Sequence, residues 1–191
     1  MKQESVTRYV LRITLTLLLI AAVVAAALAL VNRITKPVIQ AADEEKIQQA
    51  IAQVLPGGYD SPVADFTDPS GLVSKVYKGA NGYAVEVCPV GFDSALTMMV
   101  GVAPDGSVLQ ICVVSHTETA GLGAVAASSS SAGTAFRAQF VGISNEVKVK
   151  KDGGSIDAIT GATVTSRAVC NGVNAAVDCV KALEQGGAAR I

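Results

Sequence analysis

The sequence predicts an α+β protein, with one N-terminal transmembrane helix followed by a single domain of an antiparallel sheet and flanking helices. Three observations lead there. A run of 19 residues without charge or proline, residues 13–31, lies near the N-terminus. β-favouring stretches cluster mid-chain around a strong hairpin turn at Asp105-Gly106. The chain closes on a long amphipathic pattern over residues 166–183. Strands and helices are segregated rather than alternating, which favours α+β over α/β. At 191 residues the chain has room for one domain and a short appendage.

The apolar run would span about 28 Å as a helix, close to the thickness of a bilayer core. Arg12 and Arg33 flank it and can reach the headgroups. The competing reading is a cleaved signal peptide. The apolar region of such a peptide is shorter, and here the small residues Ala25 to Ala27 are followed by more apolar ones. Lys2, Arg8 and Arg12 precede the run, whereas Arg33 and Lys36 follow it, a bias toward a cytoplasmic N-terminus and an extracytoplasmic domain. The run holds no ionisable residue, so it could not conduct an ion alone.

Pro37 is expected to end or kink that helix. Residues 41–55 form a second helical pattern with Ile47, Ala50, Ile51 and Val54 on one face, stopped by Pro56-Gly57-Gly58. Residues 60–71 are rich in turn formers. Strands are expected at 72–77, 83–87, 96–102 and 108–114, with turns at 79–82 and 105–106. Residues 124–133 read as a loop or an ill-defined helix, 134–140 as a short helix and 146–149 as a strand. In the last helix Val169, Val173, Ala176, Val177, Val180 and Leu183 share a face. The expected division is a cytoplasmic N-terminus at 1–12, a transmembrane helix at 13–31, a linker and helical segment at 32–71, a folded domain at 72–186 and a tail at 187–191.

Composition excludes several classes. Net charge is −1, and from residue 41 onward 10 Lys and Arg face 15 Asp and Glu, a balance of −5. No basic field points to nucleic acid. The four cysteines, Cys88, Cys112, Cys170 and Cys179, form no C-x-x-C pair, and His116 is the sole histidine. A zinc or iron–sulfur site is therefore not expected. Cys170 and Cys179 fall on opposite sides of a helix and should not bridge, so free buried thiols are expected.

The most informative segment is Asp157-Ala158-Ile159-Thr160-Gly161-Ala162-Thr163-Val164-Thr165-Ser166. It is a loop of small residues running into a helix start, where backbone N–H groups lack partners and the dipole is positive, a setting suited to a phosphate. Gly161 and Ala162 let a ligand approach the backbone, and Thr160, Thr163, Thr165 and Ser166 supply hydroxyls. The plainer reading is that Thr165 or Ser166 caps the helix and nothing binds. No base adjoins Thr163, so a covalent group there would be installed by another enzyme. A second segment, His116-Thr117-Glu118-Thr119-Ala120-Gly121-Leu122-Gly123, follows a predicted strand. Gly121 and Gly123 would let its backbone lie against a flat ring, with Glu118 and Thr119 offering polar contacts; the alternative is a glycine-rich loop with a solvated Glu118. His116 could tune a cofactor or pass protons, or simply be a loop histidine.

The D-x-x-T-G-A-T pattern resembles the flavinylation signal of FMN-binding domains in Rnf electron transport complexes and Na⁺-translocating NADH:quinone reductases. The resemblance implies that a flavin transferase moves FMN from FAD onto Thr163, with Asp157, Thr160, Gly161 and Ala162 matching the signal; Thr165 and Ser166, just past it, are counted with the site for their hydroxyls. The stretch 118–123 resembles the E-T-P-G-L-G segment that lies against the flavin in the same families, which implies roles for Glu118, Thr119, Gly121, Leu122 and Gly123. Ala120 stands where proline is usual, which loosens the turn. Asn32 to Pro37 after the anchor, and a chain shorter than the usual C subunit of the quinone reductase, resemble the RnfG component of the Rnf electron transport complex. That implies a covalent-FMN electron carrier working with other subunits of a membrane-bound, ion-translocating ferredoxin:NAD⁺ oxidoreductase, without a complete activity of its own. The alternatives are a C-type subunit of the quinone reductase, a stand-alone extracytoplasmic flavin carrier, and a non-redox membrane-anchored binding module.

Overall fold

The computed structural model describes residues 6–186; Lys2, the start of the expected cytoplasmic segment and the 187–191 tail lie outside them. The chain divides into two compact units, with the boundary between Glu45 and Lys46.

The first unit is helical. Helix α1, Val6–Val54, starts in it, and residues 8–45 are exposed, apolar side chains such as Leu15, Leu18 and Leu28 included. Among the described residues this is the one helix long and apolar enough to cross a membrane. The two helical patterns of the sequence are one helix, and Pro37 lies inside it rather than ending it. Proline removes a single donor, so only the Arg33 carbonyl loses its helical partner, and the turns on either side continue.

The second unit opens with residues 46–54 of α1. Ala50, Ile51 and Val54 are buried there, as their helical spacing predicts, together with Leu55. Five strands follow in a meander, each antiparallel to the next: β1 Ser61–Val63, β2 Val73–Gly79, β3 Gly82–Val87, β4 Thr97–Val102 and β5 Val108–Ser115. The sequence reading missed β1. It is three residues long and contains Pro62, which an edge strand tolerates because one side needs no donor. Part of the stretch expected as linker therefore belongs to the sheet. Asp105-Gly106 makes the β4–β5 turn as predicted, with Gly106 at φ +83°.

The sheet is covered on both faces. On one, Tyr77, Ala84 and Met99 pack with residues 50–55. On the other, Val85, Val87, Met98 and Val100 pack with helix α3, Thr163–Glu184, with Phe136 of helix α2, Ser131–Ala138, and with Phe140 in the turn after it. Helix α2 begins earlier than predicted because Ser130 caps it, accepting a hydrogen bond from the Gly133 amide. The run before it, Gly123–Ala127, is a short 3-10 turn.

The strand expected at 146–149 does not form; Val149 makes only an isolated bridge to Ile156. The reason is a side chain. Asn174 of α3 accepts from the Val147 N–H at 2.8 Å and donates to the Val147 carbonyl at 2.9 Å, filling the place a neighbouring strand would take. Asn174→Leu is expected to destabilise the protein by about 2–4 kcal/mol, because two buried backbone groups lose their partners. Urea unfolding of the detergent-solubilised chain measures it.

All four thiols are free, Cys170 and Cys179 buried and Cys88 and Cys112 half-buried. Burial, with Asp152 adding to it for Cys170 and Asp68 for Cys179, pushes the two buried thiols from 9.0 up to about 11. The folded state therefore keeps its protons where the unfolded chain has released them. Their contribution to stability is whole below about pH 9 and is lost as pH rises toward about 11. Replacing both with alanine is expected to flatten that alkaline decline in denaturation midpoint.

Candidate functional site

Helix α3 starts at Thr163, three residues before the predicted start, and this one shift organises the site. The residue before it, Ala162, has no capping side chain. The first amide bonded back into the helix is that of Ser166, to the Ala162 carbonyl at 3.0 Å. The N–H groups of Thr163, Val164 and Thr165 make no hydrogen bond within the described residues, and neither does the Thr163 hydroxyl. A 22-residue helix thus presents its positive end without an internal acceptor. The idea that Thr165 or Ser166 is merely the cap does not hold.

That end opens into a cleft of about 260 Å³ lined by Phe92, Glu118, Thr119, Leu122, Gly123 and residues 161–165. Part of its wall is apolar: Phe92 is 73% exposed, with Leu122 and Val164 exposed beside it. Phe92 sits at the tip of the loop between β3 and β4, which is closed by bonds from Gly91 N–H to Ser94 O and from Leu96 N–H to Pro89 O, both 2.8 Å. Sequence reasoning missed Phe92 and Val164 as site residues. An exposed aromatic beside a glycine was the only available signal.

The second predicted segment forms the facing wall. Thr119 O accepts from Leu122 N–H at 3.1 Å, a turn with Gly121 at φ +77°, so Ala120 does not prevent it. Glu118 is not solvated. It is buried, accepts from Thr165 Oγ1 at 2.6 Å through Oε2, and accepts from the Phe92 N–H at 2.8 Å through Oε1. Gly161, at φ +77°, closes the other turn, and a methyl there would stand 2.9 Å from Leu122 Cδ2.

The remaining predicted residues lie elsewhere. Ser166 is fully buried beneath the site, donating to Ala162 O at 2.9 Å and accepting from Ile159 N–H at 3.0 Å, so it shapes the loop and does not face the cleft. Asp157, Thr160 and Gly121 line a second cleft of about 490 Å³ with Val125, Phe136 and Gln139. Asp157 pairs with Lys150 at 2.7 Å, and its backbone is held on both sides by Gln139. His116 is outside the lining of either cleft; its Nδ1 is buried without a partner. Among the described residues no cluster could hold a metal ion.

The α+β unit thus carries an anion-ready helix start in a partly apolar cleft, and a long apolar helix precedes it in sequence. Residues 91–178 match the model of the FMN-binding domain, and residues 1–54 match that of the RnfG N-terminal region. The G subunit of the ion-translocating oxidoreductase complex of Methanosarcina acetivorans is 32% identical over 93% of this chain and 98% of its own length. Its counterpart in Vibrio cholerae is 33% identical over 82% and 83%. The G subunit of the Na⁺-translocating ferredoxin:NAD⁺ oxidoreductase complex of Acetobacterium woodii is 29% identical over 93% and 95%. The chain belongs to the RnfG family, the G subunits of ion-translocating oxidoreductase complexes.

The residues present fit the FMN that such a domain binds. Three unpaired amides and a helix dipole suit its phosphate, and the exposed Phe92, Leu122 and Val164 suit an aromatic ring system.

Proposed function

We propose that this chain is an electron-carrying subunit of a membrane-bound, ion-translocating ferredoxin:NAD⁺ oxidoreductase, with FMN joined through its phosphate to Thr163. The observation that carries this reading is the Thr163 hydroxyl, unbonded, at the first position of α3 inside the cleft. When bound, FMN supplies one- and two-electron redox chemistry. The protein's part is to hold and orient it. The amides of residues 163–165 would donate to the phosphate oxygens, and the helix end would offset their charge. An ester at Thr163 would keep the cofactor from diffusing away.

Among the described residues that line the cleft, no side chain is free to act as the base for Thr163. Glu118 is committed to Thr165 and Phe92. This supports attachment by a separate flavin transferase. Asp157 and Thr160, which face the second cleft, are the residues it would read. The span 13–31 would anchor the chain, with 1–12 cytoplasmic and the FMN-binding domain on the extracytoplasmic side, where anchoring raises the effective concentration of membrane partners.

Purification from the native membrane tests the assembly. The expected result is recovery together with other redox subunits of one complex; a fluorescent chain that always purifies alone would instead identify a stand-alone flavin carrier.

A further inference from the structure

Glu118 was expected to touch the flavin, yet its geometry assigns it different work. Both carboxylate oxygens are taken by protein groups: Oε2 by Thr165 Oγ1, and Oε1 by the Phe92 amide, with a longer approach of the Asp93 amide at 3.4 Å. It has no cation partner among the described residues, so these charge-assisted bonds are what offset its burial. Two glycines are shaped around it. A methyl on Gly91 would stand 2.2 Å from Oε1, and one on Gly123 would stand 2.2 Å from Oε2 and 2.6 Å from Thr165 Oγ1. Three segments far apart in sequence therefore close on one carboxylate. A further bond, Ser94 Oγ to Thr117 Oγ1 at 2.5 Å, ties the same two loops beside it.

The consequence falls on Phe92. A side chain 73% exposed gains little restraint from packing, so its place at the cleft is set by its backbone. That backbone is held by Glu118, which also holds Thr165, two residues after Thr163 on the same helical turn. We propose that Glu118 is a positioning residue: it bridges the Phe92 amide to the first turn of α3 and so fixes the aromatic wall of the cleft against the flavin-bearing threonine. The inference rests on the reading that Thr163 carries FMN.

The test uses the full chain in detergent, produced together with a flavin transferase, with two readouts. One is quenching of flavin fluorescence by iodide; the other is hydrogen exchange at the Phe92 amide. Glu118→Ala is expected to speed that exchange on the order of 10-fold to 100-fold, as loss of a hydrogen bond to a charged group predicts. It should also raise quenching to the level of Phe92→Ala. Glu118→Gln keeps an oxygen for the Phe92 amide and an NH₂ for the Thr165 hydroxyl, so it should restore both readouts. Combining Glu118→Ala with Phe92→Ala should add no further quenching, since both changes remove the same wall. A general loss of stability would not produce that non-additivity.

Wild-type exchange and quenching in Glu118→Ala, a glutamine variant no better than alanine, or additive quenching in the double variant would each overturn the proposal. If Glu118→Ala does not accumulate, Glu118→Asp, one methylene short of both partners, is judged by the same two readouts. A wild-type chain without flavin would defeat the Thr163 reading, while exchange at Phe92 would still decide the role of Glu118.

Discussion

Thr163→Val is expected to abolish the fluorescent flavin band on a denaturing gel, leaving the protein folded and at normal abundance. Valine matches threonine in shape, and the lost hydroxyl makes no internal hydrogen bond. Helix α3 keeps its start, because the bond that begins it runs from Ser166 to Ala162. Thr163→Ser retains an oxygen at the same place and should keep part of the label. Thr165→Val leaves the Thr163 oxygen in place, so it should still give a band, whereas Thr160→Val removes a residue the transferase would read and should label more slowly. A bright Thr163→Val band would move the attachment to another hydroxyl.

The second large effect is expected at Gly123. Here a single methyl would collide with Glu118 Oε2 and Thr165 Oγ1 together, both held by a mutual hydrogen bond of 2.6 Å. Neither is the free end of a flexible chain, so the loop or the helix start must move. A displacement near 1 Å at a positioned reaction centre reduces its rate by roughly 100-fold. Gly123→Ala should therefore slow labelling of Thr163 by about that factor under limiting transferase. Gly121→Ala, where no atom lies within 4 Å, should act through backbone strain alone and slow it less. Timed in-gel fluorescence compares the two. Equal rates in Gly123→Ala and wild type would show that the Glu118 cluster does not shape the acceptor.

The last helix was readable because burial leaves a period: Val169, Val173, Ala176, Val177 and Val180 recur at helical spacing and are buried. The four longer strands were readable from their β-favouring apolar runs, β3 and β4 being buried almost throughout because both faces of the sheet are covered, and the Asp105-Gly106 turn from its local chemistry. What failed to show was decided by tertiary partners. Residues 146–149 have strand-like chemistry, but Asn174, 27 positions away, satisfies Val147 and removes the need for a neighbour. Pro37 is a local break signal that a long helix absorbs.

The candidate site divides along the same line. Thr163 and the segment 118–123 were visible in the sequence, since small residues before a helix are a local feature. The commitment of Glu118 to Phe92 and Thr165 was not, because those contacts join positions 26 and 47 residues apart. Nor was the separation of Asp157 and Thr160 into a neighbouring cleft, which depends on how the loop turns at Gly161.

The most direct test is mass spectrometry of the peptide containing Thr163, from protein purified from its native membrane. This peptide is expected to carry the mass of FMN less one water, with fragments placing it on Thr163. An unmodified Thr163 peptide at full recovery, or flavin released intact on denaturation, would contradict this attachment.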